Sequence, residues 1–138
     1  MGRLILFAPG VHIGGGLVIL KELISKTDPE TTFLYVDGRA IDIVHNTKNI
    51  PLYVIKNTVP GRIEAEYNLR NNYQINDTLL CFHGLPPLFV NNGNIVVFEQ
   101  NRFHIESNSL SKYSLKLRIR LHLERLICRM LKSRVKQY

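Results

Sequence analysis

The feature that most constrains this chain is a turn rich in glycine between its first apolar run and its first helical pattern. Arg3 to Ala8 reads as a buried strand that Pro9-Gly10 ends. Gly14, Gly15 and Gly16 come next, and then Leu17, Leu20, Leu23 and Ile24 at helical spacing, which predicts a helix to about Lys26. Thr27-Asp28-Pro29 stops it. Glycine between a strand and a helix lets the backbone turn tightly and brings free N–H groups close to an anion at the helix N-terminus. It also serves plain close packing of helix on sheet, and the residues alone leave both readings open.

Two phosphate-binding patterns can be tested against this turn. Gly10 and Gly15 have P-loop spacing, but Gly16-Leu17 stands where Lys-Ser/Thr is required, which rejects it. Gly10-Val11-His12-Ile13-Gly14-Gly15-Gly16 does not fit Gly-x-Gly-x-x-Gly either, although Asp37 lies where a ribose-binding acid belongs. Asp37-Gly38 is equally a turn signal in its own right.

Further along, 32–36, 51–56, 78–82 and 94–98 read as strands. Residues 62–73 read as a helix with Ile63, Tyr67 and Leu69 or Arg70 on overlapping faces, 42–49 as a brief turn and loop, and about 113–136 as a long helix. Strands alternating with helices predict an α/β fold: a Rossmann-like open parallel sheet of about five strands, with helices on both faces, ending in a long basic helix. Ligands in such sheets sit at the carboxyl ends of the strands. Those ends carry Pro9 to Gly16, Asp37-Gly38-Arg39, His83-Gly84 and Glu99 to His104.

The net charge of +7 belongs to one segment. Residues 1–111 carry nine Lys/Arg against ten Asp/Glu, whereas 112–138 carry nine against Glu124 alone. Residues 1–111 are therefore read as the domain body and 112–138 as its basic amphipathic helix. In that helix Leu115, Ile119, Leu123, Leu126 and Met130 form an apolar stripe, with Arg118, Arg125, Arg129, Lys132 and Lys136 beside it. Three readings stand. The stripe packs on the sheet while the cations face water; or the helix meets an anionic membrane surface; or, least favoured, it binds nucleic acid, for which no aromatic platform or recognition motif is present. No nucleic-acid partner is expected. Cys81 and Cys128 match no metal or redox spacing, and no apolar run approaches the roughly 20 residues of a membrane span. The expected compartment is the cytoplasm, at the inner face of the membrane in the lipid reading.

Three segments carry a resemblance. Residues 7–18, Phe-Ala-Pro-Gly-Val-His-Ile-Gly-Gly-Gly-Leu-Val, look like the opening strand, Gly-rich loop and helix of GT-B-fold glycosyltransferases of the retaining family-four type. Residues 79–89, Leu-Leu-Cys-Phe-His-Gly-Leu-Pro-Pro-Leu-Phe, and 96–103, Val-Val-Phe-Glu-Gln-Asn-Arg-Phe, resemble a bacterial branch of these enzymes. The likeness runs from about residue 3 to 105 and weakens between 38 and 75.

The resemblance implies the N-terminal, acceptor-side domain of a two-domain enzyme. A nucleotide sugar would be the co-substrate, with no metal or other cofactor, and the acceptor a glycan or a lipid-linked glycan. Gly14, Gly15 and Gly16 would approach the donor diphosphate, while His12, His83, Gln100, Asn101 and Arg102 would line the cleft. For His12 and His83 the alternative is a loop histidine bonded to backbone; for Gln100 and Asn101 it is loop capping, whereas Arg102 suits a phosphate or carboxylate. The resemblance also calls for a nucleotide-sugar-binding C-terminal domain after the long helix. Without it the chain reads as a fragment, a truncated frame or one half of a split enzyme, inactive alone, with part of the apolar stripe then an orphaned interface for that domain. The reading from a different class is a non-catalytic Rossmann-like module that binds a nucleotide or a partner protein.

Overall fold

The computed structural model describes residues 2–45, 49–82, 84–98 and 114–136, apart from the side chains of Ile43 and His45. Five parallel strands form one sheet: β1 (Leu4–Ala8), β2 (Thr32–Asp37), β3 (Leu52–Ile55), β4 (Thr78–Cys81) and β5 (Asn94–Val97), in the order β3-β2-β1-β4-β5. This is the Rossmann-like open sheet expected, with its switch point between β1 and β4.

The register divides the core. Leu52, Leu34, Leu6, Leu80 and Val96 align across one face; Tyr53, Tyr35, Phe7, Cys81 and Val97 align across the other. Helix α1 (Gly14–Lys26) covers the first face with Leu17, Leu20 and Ile24, joined by Val44 of α2 (Ile41–His45). Helix α3 (Val59–Asn72) covers the second with Ala65 and Leu69. Strand β1 is thus buried on both faces, which is why Leu4–Ala8 is continuously apolar and does not alternate. At its entry Asp77, itself buried, accepts from the Arg3 backbone N–H and guanidinium and from the Gln74 N–H. Burial disfavours that carboxylate, but these donors outweigh it and hold its pKa below the usual range.

Helix α3 departs from its sequence pattern. It starts three residues early, because Pro60 is tolerated in a first turn and the Thr58 hydroxyl accepts from the Gly61 N–H at 3.1 Å. Its inward face is Gly61, Ala65, Glu66 and Leu69, while Ile63 and Tyr67 are exposed. Glu66 is fully buried. It accepts from the Arg62 guanidinium at 2.9 Å and from the Leu88 N–H at 3.0 Å, and Arg62 in turn lies 4.7 Å over the Phe7 ring. Burial pushes the Glu66 pKa up, and Arg62 and Leu88 only partly offset it.

The long helix, α4 (Leu115–Leu131), also turns the unexpected face inward. Leu121, Cys128 and Leu131 are buried, whereas Leu115, Ile119, Leu123, Leu126 and Met130 are all exposed. The reading in which that stripe packs on the sheet is therefore corrected. The contacts that choose the buried face follow the helix: Arg134 donates to Leu88 O, Val135 packs into the α3-side core, and the Lys136 N–H donates to Ile95 O at 2.9 Å. Val135 is extended, and the Lys136 bond to Ile95 O brings this end of the chain beside β5.

The buried ion pair supplies a test of the α3 packing. Arg62→Met leaves the Glu66 carboxylate without its cation and is expected to cost about 3–5 kcal/mol. Adding Glu66→Gln, which keeps an acceptor for the Leu88 N–H, is expected to recover most of that loss. Urea unfolding of both variants checks it.

Candidate functional site: the turn at the switch point

The site is built by the chain leaving β1. Ala8 and Pro9 are buried, and Val11 inserts into the α1-side core, so the turn is anchored from beneath. Gly10 has φ +75° and Gly14 φ +71°, left-handed values that favour glycine. Between them the His12 Nδ1 lies 3.0 Å from Gly10 O. A carbonyl oxygen only accepts, so this contact requires a proton on Nδ1; in the imidazole tautomer with that proton, Nε2 is the acceptor. His12 is thus both a loop histidine bonded to backbone and a ring that presents one acceptor nitrogen.

Asp37, the last residue of β2, fixes the turn from the side. Its Oδ2 accepts from the Gly10 N–H at 3.0 Å and from Arg39 Nη2 at 2.8 Å. Its Oδ1 accepts from the Arg39 N–H at 3.0 Å and from Arg39 Nε at 2.8 Å. A carboxylate has about four acceptor positions, and all are used. Asp37 therefore clamps the turn to the end of β2 and has no capacity left for a ribose hydroxyl. The Arg39 guanidinium, with the N–H groups of Arg39 and Gly10 adding to it, holds the Asp37 pKa down at about 2 despite burial.

Helix α1 begins on the glycines themselves and not after them. Its N-cap is Ile13, exposed and without a side chain that accepts from the first turn, and that turn carries no acidic residue. Nothing lies within 4 Å of where a Cβ on Gly14 or Gly15 would stand. Close helix–sheet packing thus accounts for neither glycine. The positive φ accounts for Gly14; at Gly15 neither conformation nor crowding demands glycine. The result is an exposed helix N-terminus with no side-chain cap at the carboxyl edge of the sheet, an arrangement suited to an anion.

The strands preceding the other expected cleft residues end at this same edge. The Phe82 N–H donates to Phe7 O and the Phe98 N–H to Cys81 O, and the Phe82 and Phe98 rings lie 5.0 Å apart. His83, Gln100, Asn101 and Arg102 lie outside the described residues. Residue-type reasoning singled out neither the Asp37 saturation nor the Arg62–Glu66 pair. The adjacent Asp-Gly-Arg was the available signal for the first; the i, i+4 spacing of Arg62 and Glu66 was the signal for the second. Among the described residues no group of three or more His, Cys, Asp or Glu is placed to hold a metal ion, and no helix is long and apolar enough to cross a membrane. Cys81 and Cys128 are buried and form no disulfide, the Cys128 Sγ lies 3.6 Å from Gly84 O, and burial pushes the Cys81 thiol pKa far up.

Asp37 makes the acid limb of stability informative. Its folded-state pKa lies below that of the unfolded chain, so its contribution is complete above the ordinary carboxylate range and is lost as the pH falls towards 2. With Arg39 partly exposed, that contribution is expected to be about 1–2 kcal/mol. Asp37→Asn should remove it at neutral pH and flatten the loss below pH ~4, as read by unfolding midpoints across that range.

No family model, no curated protein and no solved structure matches the chain.

Proposed function

We propose that the chain is the acceptor-side half of a retaining, nucleotide-sugar-dependent glycosyltransferase, with Gly14 to Gly16 facing the diphosphate of the donor. The observation that carries this reading is Gly15. A helix that opens on glycines, with no cap and no acid, gives up local stability, and no neighbour of Gly15 explains the choice. Close approach of a phosphate to the backbone N–H groups does explain it. The three segments that resemble GT-B enzymes supply the reaction class.

The chemistry agrees with this division of labour. Glycosyl transfer builds positive charge at the sugar carbon and negative charge on the leaving diphosphate. N–H groups held by a clamped turn stabilise that leaving group without a titrating side chain and with little reorganisation. Asp37 takes no part beyond holding Gly10, and its saturation argues against the dinucleotide-binding alternative, which needs that acid for the ribose. With a proton on Nδ1 facing Gly10 O, the Nε2 of the His12 imidazole is suited to accept a hydrogen bond from a sugar hydroxyl.

Supplied with a matching donor-binding half, the chain is expected to transfer sugar from one member of a panel of nucleotide sugars; no transfer from any of them would sink the enzyme reading. Gly15→Ala separates the site from the scaffold. Alanine there should leave stability unchanged or raise it by up to about 1 kcal/mol, since it is the better helix former. It should nevertheless weaken pyrophosphate binding at the Gly14–Gly16 amides about tenfold in an NMR titration. Undiminished binding in this variant would remove the diphosphate role.

A further inference from the structure

Helix α4 is apolar on two opposite sides. At about 100° per residue, Leu115, Ile119, Leu123, Leu126 and Met130 fall within an arc of about 80°, and the buried Leu121, Cys128 and Leu131 lie across the helix from it. The five outer side chains are 54–70% exposed. They form a continuous stripe along the helix, unlike singly scattered surface apolar residues. Lys116 flanks it on one side, and Arg118, His122 and Arg129 on the other, all exposed. The one acid of the helix, Glu124, points away from the stripe. Its side chain is 12% exposed and accepts from Arg120 at 2.8 Å.

We propose that the outward face of α4 docks the domain on an anionic lipid surface. The stripe enters the boundary between headgroups and acyl chains, and the flanking cations meet lipid phosphates. Charge decides among the possible occupants. A second copy of the helix would set cations against cations with no exposed carboxylate between them. A nucleic acid would satisfy the cations and leave five apolar side chains in water. A planar anionic surface meets cations on both flanks at once, from Lys116 to Arg129, while covering the stripe between them. The face that packs on the domain lies opposite, so α4 can rest in the interface plane without leaving its place in the fold. This inference stands apart from the glycosyl-transfer reading, and its test does not involve transfer.

Co-sedimentation of the full chain with vesicles checks it. Binding is expected to phosphatidylcholine vesicles containing phosphatidylglycerol, not to phosphatidylcholine alone, and to fall with added salt. Arg118→Gln with Arg129→Gln should weaken binding about thirtyfold, as expected for two cations near an anionic surface. Leu123→Glu with Leu126→Glu should abolish it while leaving the thermal unfolding midpoint unchanged, because both side chains are already exposed. Equal binding to neutral vesicles, indifference to salt, or retention in the Leu123→Glu/Leu126→Glu variant would overturn the proposal. So would a lipid-free dimer in sedimentation velocity that the same variant dissolves, since that outcome assigns the face to a second copy.

Discussion

Strand β1 has a neighbour on each side and a core on each face, so the chain leaving Ala8 must pass over the carboxyl edge of the sheet. Everything at the candidate site follows from that exit. The backbone has to reverse and enter α1 within a few residues, and a turn this tight keeps one shape only if something holds it. Asp37 does so from the adjacent strand, with the Gly10 N–H on one oxygen and Arg39 across both. Val11 holds the turn from below. The exposed glycines of α1 are therefore the free end of a fixed structure.

The two faces of the sheet solve different problems. On the α1 side, aliphatic side chains and Phe82 close the core, with no charged residue in the described cluster. On the α3 side an aromatic row, Tyr53, Tyr35 and Phe7, runs into the fully buried Glu66 with Arg62. A buried ion pair is weak evidence for stability, since desolvation consumes much of the attraction. Its visible work here is positional: Glu66 reaches the Leu88 N–H and Arg134 reaches Leu88 O, so one residue of the segment between β4 and β5 is tied to both α3 and the end of α4.

Much of the site was legible in residue order, and the failures have identifiable causes. Gly14 to Gly16 lie at the strand-to-helix junction that Pro9-Gly10 and the Leu17/Leu20/Ile24 period mark, but as the first turn of α1 and not as a loop before it. The start of α3 was missed because Pro60-Gly61 reads as a breaker, although proline in a first turn removes only an N–H that has no helical partner. Asp37 was open to a ribose or a turn reading, because spacing locates a carboxylate but does not count its donors. Three of its four bonds come from Arg39, two residues on, and the fourth comes from Gly10, 27 residues away.

The amino-acid sequence by itself determined the five strands, the crossover helices and the place of the glycine turn. Doubly covered parallel strands are written as short apolar runs, and their connecting helices as a 3.6-residue period. Which side of α4 is inside was decided only by the tertiary structure. The stripe from Leu115 to Met130 is the more regular of the two apolar patterns, yet Leu121, Cys128 and Leu131 are the ones buried. Periodicity reports that a face is apolar and is silent on what meets it. The choice was made by Arg134 on Leu88, Val135 in the core and Lys136 on Ile95, contacts whose partners lie about forty residues back along the chain.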